Sequence, residues 1–275
     1  MKFTVLGSGG FLSTPLPGCA CRICKQARDK GAPYSRRGPS LFLHDIKLLF
    51  DTPEDITLSL NEKKIKDVET IIFSHWHPDH TMGFRVVEAL RQKEFVKEIK
   101  KPIDVYIPTY DYANVKRIVS ALWYFEKQGY VKIHKMKKDG ITIKGVSIKP
   151  MRLGKTTFSA FEVVKKSKRA LICMDHSKHL KVLPEHRNID LFYTNLGYFE
   201  HKLKNGKSAS DVPRMKNLTS FQDNLAHIDQ LESKITILSH IEERWNRNPD
   251  DLKKLEKNYQ DKHIHFAIDG MDIKI

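Results

Sequence analysis

The chain of 275 residues contains no uninterrupted apolar run long enough to span a bilayer, so no membrane association is expected. Its first residues, Met1-Lys2-Phe3-Thr4-Val5-Leu6-Gly7, lack the long apolar core of a signal peptide and read as a first strand; a cytoplasmic protein is expected. Internal repeats, low-complexity tracts and Pro/Gly/Ser-rich linkers are also missing, which leaves one domain over residues 1–275. Cysteine is scarce, with four residues. Three of them, Cys19, Cys21 and Cys24, stand together in a loop at about 18–25, and in a reducing compartment the C-x-C-x2-C spacing reads as a metal site rather than a disulfide framework. Cys173, inside Ala170-Leu171-Ile172-Cys173-Met174, reads as a small buried hydrophobe. Acidic residues are in deficit: 33 Asp and Glu against 48 Lys and Arg give a formal charge of +15. That balance favours anionic partners. The lysines are spread along the chain without a single long basic tail, which favours a small phosphorylated substrate over nucleic acid.

Periodicity gives an alternating order of elements. Strands are expected near 2–7, 40–44, 47–51, 69–74 and 103–107, with helices over 54–63, 82–90 and 110–126 between and after them. The aromatics of the last helix (Tyr112, Trp123, Tyr124, Phe125) read as helix core. In the second half, strands are expected near 131–135, 141–149, 157–164, 169–174, 189–194 and 234–238. Helices fall near 220–231 and 249–260. Two terminal strands, 264–268 and 271–275, are joined through Asp269-Gly270. Strands in runs, with helices between and outside, predict an α/β fold of two sheets packed face to face under outer helices.

The densest chemistry lies in Ser74-His75-Trp76-His77-Pro78-Asp79-His80-Thr81-Met82-Gly83. His75, His77, Asp79 and His80 follow the spacing H-x-H-x-D-H between a predicted strand and a predicted helix. Imidazoles and a carboxylate this close make a poor core and a good site for one or two divalent metals. Three more polar residues end predicted strands: Asp51 after Leu48-Leu49-Phe50, Asp175 after Cys173-Met174, and His240 after Leu238-Ser239. Each alone reads as a cap or turn residue; together with the histidine turn they form a candidate constellation at a shared rim.

Over essentially its whole length the chain resembles the metallo-β-lactamase superfamily. Within it, Cys19-Ala20-Cys21-Arg22-Ile23-Cys24 and Leu238-Ser239-His240-Ile241-Glu242 resemble the phosphoribosyl cyclic phosphate phosphodiesterase group of phosphonate breakdown, whose relatives include the biosynthesis protein B of pyrroloquinoline quinone. The resemblance implies an αββα sandwich of two mixed sheets with a metal site at the sheet edge. It implies that His75 and His77 hold one ion, that Asp79, His80 and His240 hold a second, and that Asp175 bridges them. Asp51 would stand behind the ligands and orient a histidine. Cys19, Cys21 and Cys24 would hold a structural Zn2+ remote from the chemistry, while the rim ions could be Zn2+, Mn2+ or Fe. Hydrolysis of a small cyclic or phosphorylated compound is the implied reaction, with Asp79 or Asp175 accepting a proton from the attacking water.

The chain departs from that pattern in three places. The superfamily's third histidine for the first ion falls in Pro150-Met151-Arg152-Leu153-Gly154-Lys155-Thr156-Thr157-Phe158, where Leu153 takes its place. The first site is then left with His75, His77 and Asp175 unless His176 or His179 folds in, and uneven occupancy is expected. The histidine that completes the structural zinc is replaced by Glu243, a weaker donor beside three thiolates. The histidine expected to act on the leaving group is replaced in the region of Lys216 and Asn217. Arg152, Lys155, Lys216 and Asn217 are therefore candidates for holding a phosphate. A nuclease acting on RNA or DNA ends, and a non-catalytic metal-binding scaffold of the same fold, are the competing expectations. A homodimer would be unsurprising.

Overall fold

The computed structural model describes residues 1–92, 101–199, 203 and 206–275. Two seven-stranded sheets form its centre. The first runs, edge to edge, through β14 (Asp272–Lys274), β1 (Lys2–Gly7), β2 (Ser40–Leu43), β3 (Leu48–Phe50), β4 (Thr70–Ile72), β5 (Ile103–Pro108) and β6 (Val131–Met136). The second runs through β13 (Ile264–Phe266), β12 (Thr236–Ser239), β11 (Leu191–Asn195), β10 (Lys168–Cys173), β9 (Ser159–Lys165), β8 (Val146–Arg152) and β7 (Ile141–Ile143).

Side chains alternate across each strand, so every strand feeds two cores. In β2 and β3, Leu41, Leu43, Leu48 and Phe50 enter the central core between the sheets. Phe42 and Leu49 point the other way, into an outer core. There they meet Leu60 of α2 (Ile56–Glu62), Val87 of α4 (Val86–Arg91), Val115 of α5 (Tyr112–Ile118) and Phe125 of α6 (Leu122–Lys127). On the second sheet, Ile172 faces the centre, while Leu171 and Cys173 face a third core with Ile228 of α7 (Phe221–Leu231) and Leu252 of α8 (Pro249–Glu256). The result is the αββα layering expected from the sequence, with Cys173 fully buried as an apolar filler.

Four local expectations need correction. The 110–126 helix is two helices, α5 and α6, and its apolar face is carried by Leu122 and Phe125 at i, i+3; Trp123 is 61% exposed and Tyr124 is exposed too, so neither is helix core. The 141–149 strand is a hairpin of β7 and β8, turned by Lys144 and Gly145, both at positive φ. The terminal strands β13 and β14 lie in different sheets, and the intervening Asp269 ties the crossing down by accepting from Ser8 N, Ser8 Oγ and Arg37 N at 2.7–2.8 Å. Finally, α1 (Arg22–Lys30) was not anticipated; Cys21 caps it, its Sγ accepting from Cys24 N at 3.4 Å.

At the N-terminal end of β4, Glu69 gathers Lys144 from the opposite sheet (2.7 Å), Lys47 (3.0 Å) and Lys101 (3.4 Å). Hydrogen bonds from Lys144 and Lys47 hold its carboxyl down to about 2, from an ordinary value of 4.5. A depressed carboxylate stabilises the fold fully above its unfolded value and loses that stabilisation as pH falls towards the folded one. The three lysines are substantially exposed, so Glu69→Gln should cost only about 1 kcal/mol at pH 7. That cost should fall to less than half by about pH 3, as read from urea denaturation at the two pH values. A pH-independent difference would contradict the ion-pair account.

Candidate metal centre

The C-terminal ends of β3, β4, β10 and β12 open on one rim, and each delivers a polar residue there. Asp51 follows β3, the Ser74–His80 turn follows β4, Asp175 and His176 follow β10, and His240 follows β12. Asp51 (φ 61°), His176 (φ 55°) and His240 (φ 55°) are all left-handed, an uncommon conformation for non-glycine residues that turns each chain sharply at its strand end. Gly83 closes the histidine turn. Its N–H donates to Thr52 O at 2.8 Å, and a Cβ there would sit 1.8 Å from Pro53 O, so only glycine permits the approach to the loop that carries Asp51.

Asp51 is fully buried and organises two imidazoles. It accepts from Ser74 N (2.7 Å), Ser74 Oγ (2.6 Å) and His80 Nδ1 (2.7 Å). Ser74 spends its single hydroxyl proton on Asp51, so at 3.0 Å it must accept from His75 Nδ1–H. Both histidines thereby keep a proton on Nδ1 and direct Nε2 away from Asp51.

The donors meet in three overlapping groups, within each of which the ligand atoms lie no more than 4.8 Å apart: His75, His80 and Asp175; His77, Asp175 and His176; Asp79, His80 and His240. Asp175 belongs to two of them. Asp79 Oδ2 lies 3.2 Å from His80 Nε2 and 3.4 Å from His240 Nε2, and Asp175 Oδ2 lies 3.8 Å from the latter. His75 Nε2, His80 Nε2, His240 Nε2 and Asp79 Oδ1 are buried with no hydrogen-bond partner. Orphaned atoms in a buried cluster are expensive unless something coordinates them, and nitrogen and carboxylate donors are the set that divalent zinc, manganese or iron takes.

Charge agrees with that fit. Burial, reinforced by His80 and His77, holds the His75 imidazole well below its ordinary value, so it is a neutral donor. For His240, burial works downward but is outweighed by Asp175 and Asp79, which raise it to about 9. His80 is likewise buried, and Asp79 and Asp51 raise it well above its ordinary value. The carboxylates thus demand positive charge at the centre of the cluster.

The cluster forms part of the floor of a cavity of about 340 Å³, walled by Phe11, Trp76, Tyr198, Met215, Thr219, Arg244 and Trp245 among others. None of the four phosphate candidates lines it. Arg152 is exposed, donates to Thr156 O and Lys155 O, and stacks over Tyr110, while Lys155, Lys216 and Asn217 are exposed. The wall takes Met215, Leu218 and Thr219 from the same segment as Lys216 and Asn217, because the apolar residues turn inward there. Instead, the guanidinium at the cavity is Arg244, paired with Glu242 at 3.2 Å. Sequence reasoning missed it, although Arg244 stands only four residues after His240.

Away from the rim, the Sγ atoms of Cys19, Cys21 and Cys24 converge within 4.8 Å of one another. The buried Glu243 brings Oε2 to 3.8 Å from Cys21 Sγ, but it is not among the donor atoms that lie within 4.8 Å of one another there.

A family model described as the metallo-beta-lactamase superfamily matches residues 41–135. By sequence the chain matches no curated protein. Solved structures agree over its whole length. A diphosphatase from the PhnP family has 22% identity and a TM-score of 0.71, covering 100% of this chain and 97% of that one. Zn2+-bound PqqB from Methylobacterium extorquens has 15% identity and a TM-score of 0.72, with 100% of each chain covered. The short form of human tRNase Z has 16% identity and a TM-score of 0.64, covering 100% of this chain and 99% of that one. At such identities these likenesses speak for the fold. The family model reaches residues 41–135, and over the whole chain the shared sandwich shows the metallo-β-lactamase fold. None of its described helices is long and apolar enough to cross a membrane.

Proposed function

We propose that the chain is a metal-dependent hydrolase of small phosphodiesters. In this reading Asp79, His80 and His240 hold one divalent ion, His75 and His77 hold another, and Asp175 reaches both. The observation that carries it is a cluster of four buried donor atoms without a hydrogen-bond partner, on His75, Asp79, His80 and His240, of which Asp79 and His240 line a small cavity. A divalent ion held by these residues would supply an activated water at neutral pH and charge to offset the phosphoryl group. The chain's own residues do the rest. Asp79 and Asp175 face the cavity as the carboxylates able to take the water's proton. Asp51, directly for His80 and through Ser74 for His75, keeps Nε2 of both rings pointed at the centre. Arg244, the guanidinium among the described residues that line the cavity, would hold a phosphoryl oxygen.

The likeness to a PhnP-family diphosphatase and the net charge of +15 support a phosphorylated substrate. Cavity size and the aromatic wall support a small one. A polynucleotide would ask for a basic track, and Arg244 is the single Lys or Arg among the described residues lining the cavity. Metal-reconstituted protein should be tested on phosphomonoesters, phosphodiesters, diphosphates, cyclic nucleotides, thioesters and RNA. Phosphodiester or diphosphate turnover is expected. Turnover of thioesters alone would overturn the reading, and RNA cleavage with steeply salt-dependent binding would move it to a nuclease.

The cysteine cluster is proposed to hold a structural Zn2+ with Glu243 as the fourth ligand, since thiolates in a tetrahedral set suit zinc. Cys21→Ser should lose one zinc per chain and lower the melting temperature by a few degrees, about 1–2 kcal/mol. Unchanged zinc content and melting temperature would refute the assignment.

A further inference from the structure

The loop after β8, where the superfamily pattern calls for a third imidazole on the first ion, supplies none. Leu153 is 1% exposed and packed in the outer core under α7 and α8. What the loop sends to the centre is Phe158, whose ring lies 4.5 Å from His75, 5.1 Å from His77 and 4.0 Å from His176, stacked on the last. An aromatic ring packs against ligands but cannot be one. His179, the more distant alternative, is exposed, and its Cβ lies against Gly154.

The geometry points to His176 as the replacement ligand, a divalent-metal donor delivered from the turn after β10 instead of the loop after β8. Its ligand atom lies within 4.8 Å of those of His77 and Asp175, and it lines the same cavity. The turn that aims it is over-determined. His176 has φ 55° and ψ 45°, a conformation costing a β-carbon residue about 1 kcal/mol or more. It is held by four hydrogen bonds: His176 N donates to Asp175 Oδ1 (2.7 Å), Ser177 N and Oγ both donate to Asn195 Oδ1 (3.1 and 2.9 Å), and Lys178 N donates to Thr219 Oγ1 (2.9 Å). One short turn thus furnishes both the shared carboxylate and the missing imidazole. This assignment rests on the metal-dependent reading, and it reverses the expectation of a first site short of donors.

The test counts zinc bound by the metal-stripped, reloaded protein in native mass spectrometry, comparing wild type with His176→Gly. Glycine accepts positive φ freely and offers no donor, so the turn is kept while the ligand goes. The variant should hold one ion fewer than wild type, and added imidazole should restore it; His179→Gly should match wild type. Should His176→Gly fail to fold, His176→Asn, also tolerant of positive φ, should lose the same ion on dialysis. A wild-type ion count in the histidine variant, or a wild-type protein with a single ion at the rim, overturns the assignment while leaving a hydrolase intact. A wild type whose zinc all disappears with Cys21→Ser would refute the metal-dependent reading itself.

Discussion

Asp175→Asn is expected to lower phosphodiester turnover by about 10³-fold or more while the protein stays folded, a loss of roughly 4 kcal/mol of transition-state stabilisation. The side chain is nearly isosteric, and its oxygen can still accept from His176 N, as Oδ1 does at 2.7 Å. What disappears is the charge on the carboxylate that belongs to two of the three donor groups. An amide ligates divalent ions poorly and takes no proton. Metal content and turnover should therefore fall together, with circular dichroism unchanged. His80→Ala should do the same from the opposite wall of the cluster. Full activity in either variant at unchanged metal content would remove the cluster from the chemistry.

The largest stability effect should come from Asp51→Ala. Three buried donors, Ser74 N, Ser74 Oγ and His80 Nδ1, lose their acceptor at once. Leaving such a network uncompensated costs about 3–5 kcal/mol. Freed from Asp51, Ser74 no longer fixes the His75 tautomer, and His80 can rotate. Metal affinity at the rim should drop about 10–100-fold, the usual effect of losing the group behind a ligand. Urea denaturation and a zinc competition titration would measure the two losses separately. A destabilisation under about 1 kcal/mol with undiminished affinity would mean that Asp51 is not what orients these histidines.

Part of the layering was legible because inner strands such as β2 and β3 read apolar on both faces, which calls for a packed layer on each side of the sheet. The rim was legible for the same reason: a lone polar residue after an apolar run marks a strand end, and parallel neighbours put such ends side by side. Features without a local signal were not legible. Nothing in Ile264–Ile275 says that β13 and β14 belong to different sheets, since the crossing is decided by where Asp269 finds Ser8 and Arg37. The phosphate candidates do not line the cavity, because a basic residue in a loop says nothing of which way it faces; Lys216 points out where Met215 points in. His176 could be raised from its place beside Asp175, but its direction comes from a left-handed turn fixed by Asn195 and Thr219, far away in sequence.

The most direct test is anomalous diffraction at the zinc edge from crystals of zinc-reconstituted protein. Paired peaks are expected at the rim, one among Asp79, His80 and His240 and one beside His75 and His77, with Asp175 between them and a separate peak on the three cysteines. Zinc at the cysteines alone, with the histidines bound to one another or to water, would contradict the account.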